Sequence, residues 1–465
     1  MESVVANVPL GPATLTATLI GIGVIIFVFF AKWFRQETEH TAENEKLVHN
    51  KRNSVVSSAV STGKQKKDQG GTVSKQASKK KLTERESRRN ARTGEKTFGH
   101  PWLLASLKGH GGRVLDMDFA ANGKYLASCG DDRTVFLWDS KDFLQRDRKS
   151  LRVNVEFDFA THVKWSPDCK AFIIHRFNEN ALEVYKVEKK KDGFLTATKA
   201  HTFPKVHETD VVGMGIASNG KFMMTCSNKT DVVVWDLKGE ILAKFDSYLM
   251  NNICAKISPC GRFIVASGFT PEAKVWEVAF NKSGEFKDVK QIVPLTLRGH
   301  SAGIYDVAFD VDSSHMATVS KDGTWKLFDT NVNYKQGQDA RLLRTEKYDQ
   351  SGNHALIALS PNSEVVVIAT FGDLQFFSTL TGELDYVIEN ISNEAITAIL
   401  FDASGKYLLV AADKQIRVFH NATGYRCSIA SAKEKLKEHQ TSATKERLQQ
   451  LITDSEEFLK QIGEN

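Results

Sequence analysis

The sequence contains few cysteines and prolines for its length. Six cysteines and nine prolines are distributed over 465 residues, and no two cysteines have the C-x-x-C spacing. This excludes a disulfide-rich scaffold and a zinc finger, and it predicts buried thiols in a reducing compartment. Because 41% of the residues are hydrophobic, the chain can fill a large core, which excludes a collagenous, a wholly disordered or a multi-span membrane protein.

The sequence also lacks the common motifs of catalysis. It contains no phosphate-binding loop, no H-E-x-x-H motif, no set of Cys and His at metal-ligand spacing and no pair of carboxylates that stands out. We therefore predict that the protein is not an enzyme. We expect no catalytic residue, no metal site, no cofactor and no small-molecule substrate.

No charged residue occurs between Glu2 and Lys32. Within this gap, residues 13–31 form an apolar run close to the ~20 residues that a helix needs to cross a bilayer. We predict a transmembrane anchor there, preceded by a short extension over 1–12. A cleaved signal peptide is the alternative, but the N-terminus is acidic and the run ends in bulky side chains. Lys32 and Arg35 follow the run, so the positive-inside rule places the rest of the chain in the cytosol, and the short span favours the endoplasmic reticulum.

Residues 32–98 are predicted to form a flexible basic linker. Residues 31–96 carry 17 Lys and Arg against 8 Asp and Glu, whereas 97–465 carry 45 against 47. Such a polar segment cannot bury enough apolar surface to fold alone. Three interpretations of its basic cluster stay open: a solvated spacer, contact with anionic lipid headgroups, and contact with RNA phosphates. The cluster consists of Lys79, Lys80, Lys81, Arg85, Arg88, Arg89 and Arg92.

A repeated pattern begins at Leu107. Residues 107–139 and 297–329 both contain Gly-His, an alternating apolar strand, a polar turn, a strand of small residues, an Asp turn and a strand that ends in an aromatic residue. Five weaker copies keep this order. The closing aromatics of the seven copies are Trp138, Tyr185, Trp235, Trp276, Phe328, Phe377 and Phe419. A unit of four short strands recurring every 40–50 residues is typical of a β-propeller blade. We predict an all-β, seven-bladed propeller over 99–425.

The repeats resemble the WD-repeat family. In that family the His of Gly-His, a Ser or Thr, the turn Asp and the strand-end Trp form a hydrogen-bonded tetrad, and the resemblance implies the same here. The first copy offers His110, Ser128, Asp132 and Trp138. The fifth offers His300, Thr318 and Asp322, with Phe328 in place of Trp. Elsewhere the motif decays, since Glu179 and Lys229 stand where Asp is expected and Asp413 has no Gly-His. We interpret these Ser, His and Asp residues as structural and not as a nucleophilic triad.

Three stretches, 131–147, 258–278 and 319–330, are similar to one membrane-anchored member of the WD-repeat family. That resemblance implies an endoplasmic-reticulum protein whose propeller faces the cytosol. It further implies a scaffold connected to a kinase of the unfolded protein response and to the translation machinery, with RNA association.

The segment 428–463 is predicted to form one amphipathic helix. Its apolar residues recur at helical spacing between Leu448 and Ile462, and Gly463 is a plausible stop. Packing against a blade and a coiled-coil dimer seam both stay open as interpretations.

The function predicted from these features is a membrane-tethered scaffold that recruits proteins through the loops of its propeller. The turn residues Asp131 and Lys321 are candidates for partner contact. The alternative is an RNA-binding adaptor that uses the basic linker.

Overall fold

The computed structural model describes residues 98–143, 145, 150–191, 194–351 and 354–464. These residues belong to one compact unit, Lys96–Asn465. The predicted anchor over 13–31, Lys32, Arg35 and the basic cluster from Lys79 to Arg92 lie outside the described residues. Among the helices that the structure describes, none is both long enough and apolar enough to span a bilayer.

The described chain forms seven antiparallel sheets of four strands each, which confirms the predicted seven-bladed propeller. The first strand, β1 (Leu103–Lys108), precedes blade 1. Blade 1 contains β2 (Val114–Phe119), β3 (Tyr125–Gly130), β4 (Thr134–Asp139) and β5 (Ser150–Asn154). Blade 2 contains β6 (Ala160–Trp165), β7 (Ala171–Arg176), β8 (Ala181–Lys189) and β9 (Leu195–Thr202). Blade 3 contains β10 (Val211–Ile216), β11 (Met223–Ser227), β12 (Asp231–Trp235) and β13 (Ile241–Asp246).

The remaining blades have the same strand order. Blade 4 contains β14 (Asn252–Ile257), β15 (Phe263–Gly268), β16 (Lys274–Phe280) and β17 (Phe286–Gln291). Blade 5 contains β18 (Ile304–Phe309), β19 (His315–Ser320), β20 (Thr324–Asp329) and β21 (Arg341–Lys347). Blade 6 contains β22 (Ala355–Leu359), β23 (Val365–Thr370), β24 (Asp373–Ser378) and β25 (Leu384–Ile388). Blade 7 contains β26 (Ile396–Phe401), β27 (Tyr407–Ala412) and β28 (Gln415–His420), with β1 as its outer strand.

Strand β1 closes the ring because it pairs antiparallel with β28, from Leu103 opposite Phe419 to Lys108 opposite Gln415. A sheet without this strand would leave the edge of blade 7 unpaired. The closure is reinforced at β2, where the Val114 amide donates to the Asp413 carbonyl at 2.8 Å.

The core consists of seven hydrophobic clusters, and each one fills the space between two neighbouring blades. Between blades 1 and 2, for example, Leu137 and Val135 pack with Val163 and Phe172. The central strands carry apolar residues on both faces of each sheet. Only stacking against both neighbouring blades removes these two faces from water.

The C-terminal segment forms two helices, α1 (Ala422–Lys437) and α2 (Ser442–Gln461), so the prediction of one helix over 428–463 is wrong. Residues 438–441 interrupt the helix because the Thr441 side chain accepts a hydrogen bond from the Thr444 amide and so caps a new helix. Both helices pack on the propeller, with Leu459 buried and the ring centroids of Phe458 and Tyr425 4.4 Å apart.

Candidate functional site on the upper face

Each blade has two loops at one end of the propeller, which we call the upper face. One is the turn between its second and third strands, and the other is the connection from the preceding blade. Because the strands are antiparallel, the turn between the second and third strands lies beside the connection from the preceding blade. Hydrogen bonds join the two loops: the Phe177 amide donates to the Phe159 carbonyl at 3.0 Å, and the Asn228 amide donates to the Asp210 carbonyl at 2.8 Å. The upper face is therefore a ring of loops that hold each other in place.

In blade 1 the structure brings together the four residues of the first predicted tetrad. His110 Nε2 and Trp138 Nε1 each lie 2.9 Å from Ser128 Oγ, while His110 Nδ1 lies 3.2 Å from the Asp132 carboxylate. Burial alone would raise the pKa of Asp132, but hydrogen bonds from His110 and Thr134 hold this pKa well below its usual value.

Blade 5 contains the same arrangement without the indole. His300 Nδ1 lies 2.9 Å from Asp322 Oδ2 and His300 Nε2 lies 2.8 Å from Thr318 Oγ1. Phe328 supplies no donor. Burial lowers the pKa of His300; despite burial, hydrogen bonds from Thr324 and the Ser301 amide lower the pKa of Asp322 to about 2.

Blade 3 has a complete tetrad that the sequence analysis missed. His207 contacts both Thr225 Oγ1, at 2.7 Å, and the Asp231 carboxylate, and Trp235 Nε1 donates to Thr225 Oγ1 at 2.9 Å. The Asp is thus Asp231, and placing Lys229 at its position was wrong. The spacing of its residues could have identified this tetrad, because the His and the Ser or Thr are 18 residues apart in blades 1, 3 and 5.

Blade 2 replaces the tetrad with a buried arginine. Arg176 Nη1 lies 2.8 Å from Glu179 and 3.2 Å from Glu183, and Arg176 Nε lies 3.6 Å from Asp158. The Tyr185 hydroxyl donates to Glu183 at 2.7 Å. Ion pairs therefore hold the upper loops of blade 2, as hydrogen bonds of an imidazole do in blades 1, 3 and 5.

These polar groups hold the upper loops and do not form a reactive site. The Ser128 side chain is fully buried, and its oxygen is engaged by both His110 and Trp138. The two candidate contact residues, Asp131 and Lys321, lie instead at the surface of the upper turns of blades 1 and 5.

The upper loops expose six aromatic or methionine side chains. Phe157 is 89% exposed, Tyr248 73% and Met250 67%. The full set is Phe157, Phe177, Tyr248, Met250, Phe269 and Phe371. Sequence patterning did not identify them, because apolar residues in loops do not follow a strand period. Exposed apolar residues grouped on one face indicate an interaction surface.

The central channel encloses about 660 Å³ between the innermost strands of the blades. Its ion pairs join neighbouring blades: Lys164 Nζ lies 2.8 Å from Asp116, and Lys256 Nζ lies 2.7 Å from Asp306. Burial raises the pKa of Asp118, which also lines the channel, to about 6. The charges of the two ion pairs are neutralised within the protein, so the pairs tie neighbouring blades together.

Comparison with known proteins supports this architecture. A sequence profile described as "WD domain, G-beta repeat" matches residues 101–139, 292–329 and 385–420. Transducin beta-like protein 2 of Mus musculus is 44% identical over 391 residues, which cover 84% of this chain and 88% of the relative. The chain belongs to the transducin beta-like protein 2 family. The Homo sapiens member of this family is 43% identical over 400 residues, covering 85% of this chain and 89% of that protein.

A more distant relative lies outside the transducin beta-like protein 2 family. The guanine nucleotide-binding protein subunit beta of Oryza sativa subsp. indica is 19% identical over 332 residues, covering 68% of this chain and 82% of the relative. Propellers of this kind are consistent with protein-interaction scaffolds.

Proposed function

We propose that this protein is a non-enzymatic scaffold whose upper face binds other proteins. The observation that carries the proposal is the group of six aromatic or methionine side chains exposed on the upper loops. Exposing them to water is unfavourable, and contact with a partner would bury them. The hydrogen-bonded loops beneath them form a rigid base, which lowers the entropic cost of binding.

The experiment is proximity labelling from the full chain in cells. It compares the natural protein with a variant in which Phe177 and Phe269 are replaced by Ser, and with a control in which Leu342 and Leu384 on the outer strands are replaced by Ser. All four side chains are exposed. We expect the upper-face variant to lose a set of labelled proteins that the control keeps. Equal labelling by all three would contradict the proposal.

We further propose that residues 13–31 anchor the scaffold in the endoplasmic reticulum membrane with the propeller in the cytosol. The apolar run and the basic residues Lys32 and Arg35 support this topology. The propeller carries N-x-S/T sequences at Asn281 and Asn390, both exposed. A cytosolic propeller leaves these unglycosylated, so glycosidase treatment should not shift the protein on a gel. A shifted band would overturn the topology.

The resemblance to transducin beta-like protein 2 supports a role in the unfolded protein response and in translation control, with a stress-sensing kinase and translation machinery as partners. If the protein has this role, the set of proteins labelled in the proximity experiment should change when unfolded protein accumulates in the endoplasmic reticulum. It also predicts that a chain without residues 1–35 loses that response.

The charge of the linker supports a second candidate function, that of an RNA-binding adaptor. Counterion release makes phosphate contacts by the Lys79–Arg92 cluster strongly salt-dependent. Replacing the Lys and Arg of this cluster with Gln should abolish RNA binding and leave protein recruitment by the upper face intact. RNA binding that survives the replacement would exclude this role for the linker.

A further inference from the structure

The upper face over blades 1 to 4 combines two apolar clusters with unpaired negative charge. At the junction of blades 1 and 2, the rings of Phe159 and Phe177 stack with centroids 4.8 Å apart, and Phe157 stands beside them in the chain. At the junction of blades 3 and 4, Tyr248 and Met250 lie in the connection between the blades. The Phe269 amide donates to this connection, at the Asn251 carbonyl, at 3.0 Å.

The connections that follow blades 1, 2 and 3 each carry an exposed carboxylate. Glu156 precedes Phe157, Glu208 and Asp210 lie between blades 2 and 3, and Asp246 lies at the end of β13, two residues before Tyr248. None of the four makes an ion pair within the part of the chain that the structure describes. The exposed cations without an ion pair in these connections and the turns beside them are Arg133, Lys205 and Lys229. The four carboxylates and the exposed Asp131 outnumber them, so the surface has an excess of negative charge.

Four of the exposed residues have a backbone conformation that is unfavourable for a residue with a large side chain. Phe157, Tyr248, Met250 and Phe371 all have positive φ, at 58°, 52°, 67° and 32°. For residues with a Cβ this backbone region is unfavourable, and bulky side chains are rare there. Unfavourable backbone conformations of this kind concentrate at binding sites, where the side chain is needed for contact.

A lysine of the protein itself already binds to this surface. Lys274 Nζ lies 5.8 Å from the centre of the Tyr248 ring and donates to the Tyr248 carbonyl at 3.0 Å. An ammonium near an aromatic ring is attracted by the ring's quadrupole, and its aliphatic stem packs on apolar surface. The stacked Phe159 and Phe177, beside the unpaired Glu156, offer the same combination to a cation from outside.

We propose that this surface, consisting of Phe157, Phe177, Tyr248, Met250, Phe269 and the four unpaired carboxylates, binds an extended protein segment in which Lys or Arg alternates with large apolar side chains. This proposal rests on the proposed scaffold function and adds the chemistry of its partner. The apolar side chains bind the two clusters, and the cations lie beside the carboxylates between them. An anionic membrane or a nucleic acid would be repelled by the same carboxylates.

The test uses the purified full chain in detergent and three fluorescein-labelled peptides. The first repeats Lys-Ser-Phe-Ser-Gly three times, the second has Glu for Lys, and the third has Ala for Phe. We expect the first peptide to bind at least about tenfold more tightly than the other two, since both charge and apolar contact contribute. Equal binding of the three peptides would overturn the proposal.

Two variants locate the binding. The first replaces Phe157, Tyr248 and Met250 with Asn, which tolerates positive φ. It should raise the midpoint of thermal unfolding and weaken binding of the Lys-Phe peptide at least about tenfold. A purely structural role for these residues predicts instead a lower midpoint. The matched control, Leu342→Asn with Leu384→Asn on the outer strands, should bind as the natural chain does; an equal loss in the control would overturn the assignment.

The second variant replaces Glu156 and Glu208 with Gln and Asp210 and Asp246 with Asn. It should reduce the preference for the Lys peptide over the Glu peptide and leave apolar binding in place. If the variants change only vesicle flotation, RNA binding or the oligomeric state, the surface has a different occupant and the proposal fails. If proximity labelling still depends on the upper face while no peptide binds, the scaffold function stands and the partner chemistry is wrong.

Discussion

Trp138 and Trp325 are both buried tryptophans, but only one of them has a hydrogen-bond acceptor. The Trp138 indole donates to Ser128 Oγ at 2.9 Å, whereas Trp325 Nε1 has no partner among the described residues. Replacing each of the two residues therefore separates the contribution of the tetrad hydrogen bond to stability from the contribution of indole packing.

We predict that Trp138→Phe lowers the free energy of unfolding by about 1–2 kcal/mol more than Trp325→Phe. Both changes remove a similar volume from a core, but only Trp138→Phe leaves Ser128 with one donor fewer. Urea unfolding of the two variants checks this. Equal losses would mean that the tetrad hydrogen bond contributes nothing measurable.

The tetrad of blade 1 could be predicted from sequence because Gly-His, the turn Asp and the terminal Trp are all present at their expected places. His207 was missed because Val precedes it and the Asp lies two residues farther along the turn than in blades 1 and 5. The exposed Phe157 and Tyr248 could not be predicted, since a loop residue's exposure depends on the path of the neighbouring loops.

Asp118 makes the stability of the propeller depend on pH. Its pKa rises from 3.8 to about 6 because it is buried at the channel. A group whose pKa is higher in the folded state keeps a proton that the unfolded chain has lost, so stability falls between about pH 4 and pH 6. Below and above this range the contribution is constant.

Asp118→Asn should remove this fall and raise the free energy of unfolding at about pH 7 by up to about 3 kcal/mol. The Asn carbonyl can still accept from the Trp165 amide, which lies 2.8 Å from Asp118 Oδ2. Asp116→Asn is the contrast: it removes the partner of Lys164 and should destabilise the fold by about 3 kcal/mol. Urea titrations on either side of the range test both, and a fall that persists in Asp118→Asn would assign it to another group.

At the scale of elements, the end of the C-terminal segment holds the start of the propeller. Trp102 Nε1 donates to Glu464 Oε1 at 2.5 Å, and Arg426 Nη1 donates to Glu464 Oε2 at 3.0 Å. Arg426 also contacts Asp385 of blade 6 at 2.7 Å. One carboxylate thus connects the residue before β1 with helix α1.

We predict that Glu464→Ala lowers the free energy of unfolding by about 1–3 kcal/mol, because it leaves the buried Trp102 indole without an acceptor. Glu464→Gln keeps an oxygen for the indole and loses only the charge that faces Arg426, so it should cost less. Chemical unfolding of both variants distinguishes them. If the Gln variant is as unstable as the Ala variant, the charge and not the indole is the main contact.

The helical character of this segment was predictable from its composition, but its division was not. Lys, Glu, Gln and Ala dominate the segment on both sides of 438–441, and these four residues (Glu, His, Gln and Thr) include no Gly or Pro. The break comes from a local competition, in which the Thr441 side chain replaces a helical acceptor for the Thr444 amide.

At the scale of the whole molecule, the number of blades was predictable because seven copies of one unit imply seven sheets. The ring itself follows from shared clusters: each blade buries its two faces only against its neighbours. Removing the closing strand should therefore affect every blade.

We predict that a chain beginning at residue 98 unfolds in one transition, with a midpoint close to that of the full chain. A chain beginning at residue 109 lacks β1 and should unfold at a clearly lower temperature, because β28 loses its pairing partner and Trp102 is absent from its cluster. Differential scanning calorimetry checks this. Equal midpoints would show that the ring is stable when open.

The pairing of β1 with β28 has a mechanical consequence. Because β1 joins blade 7 only by pairing with β28, tension on the chain ahead of Phe98 would be borne first by Trp102 and the five residue pairs of this one ladder. The loops over blades 1 to 4 would feel no load until that ladder had given way. A protein built in this way can be pulled from its N-terminal side while the proposed binding surface keeps its shape.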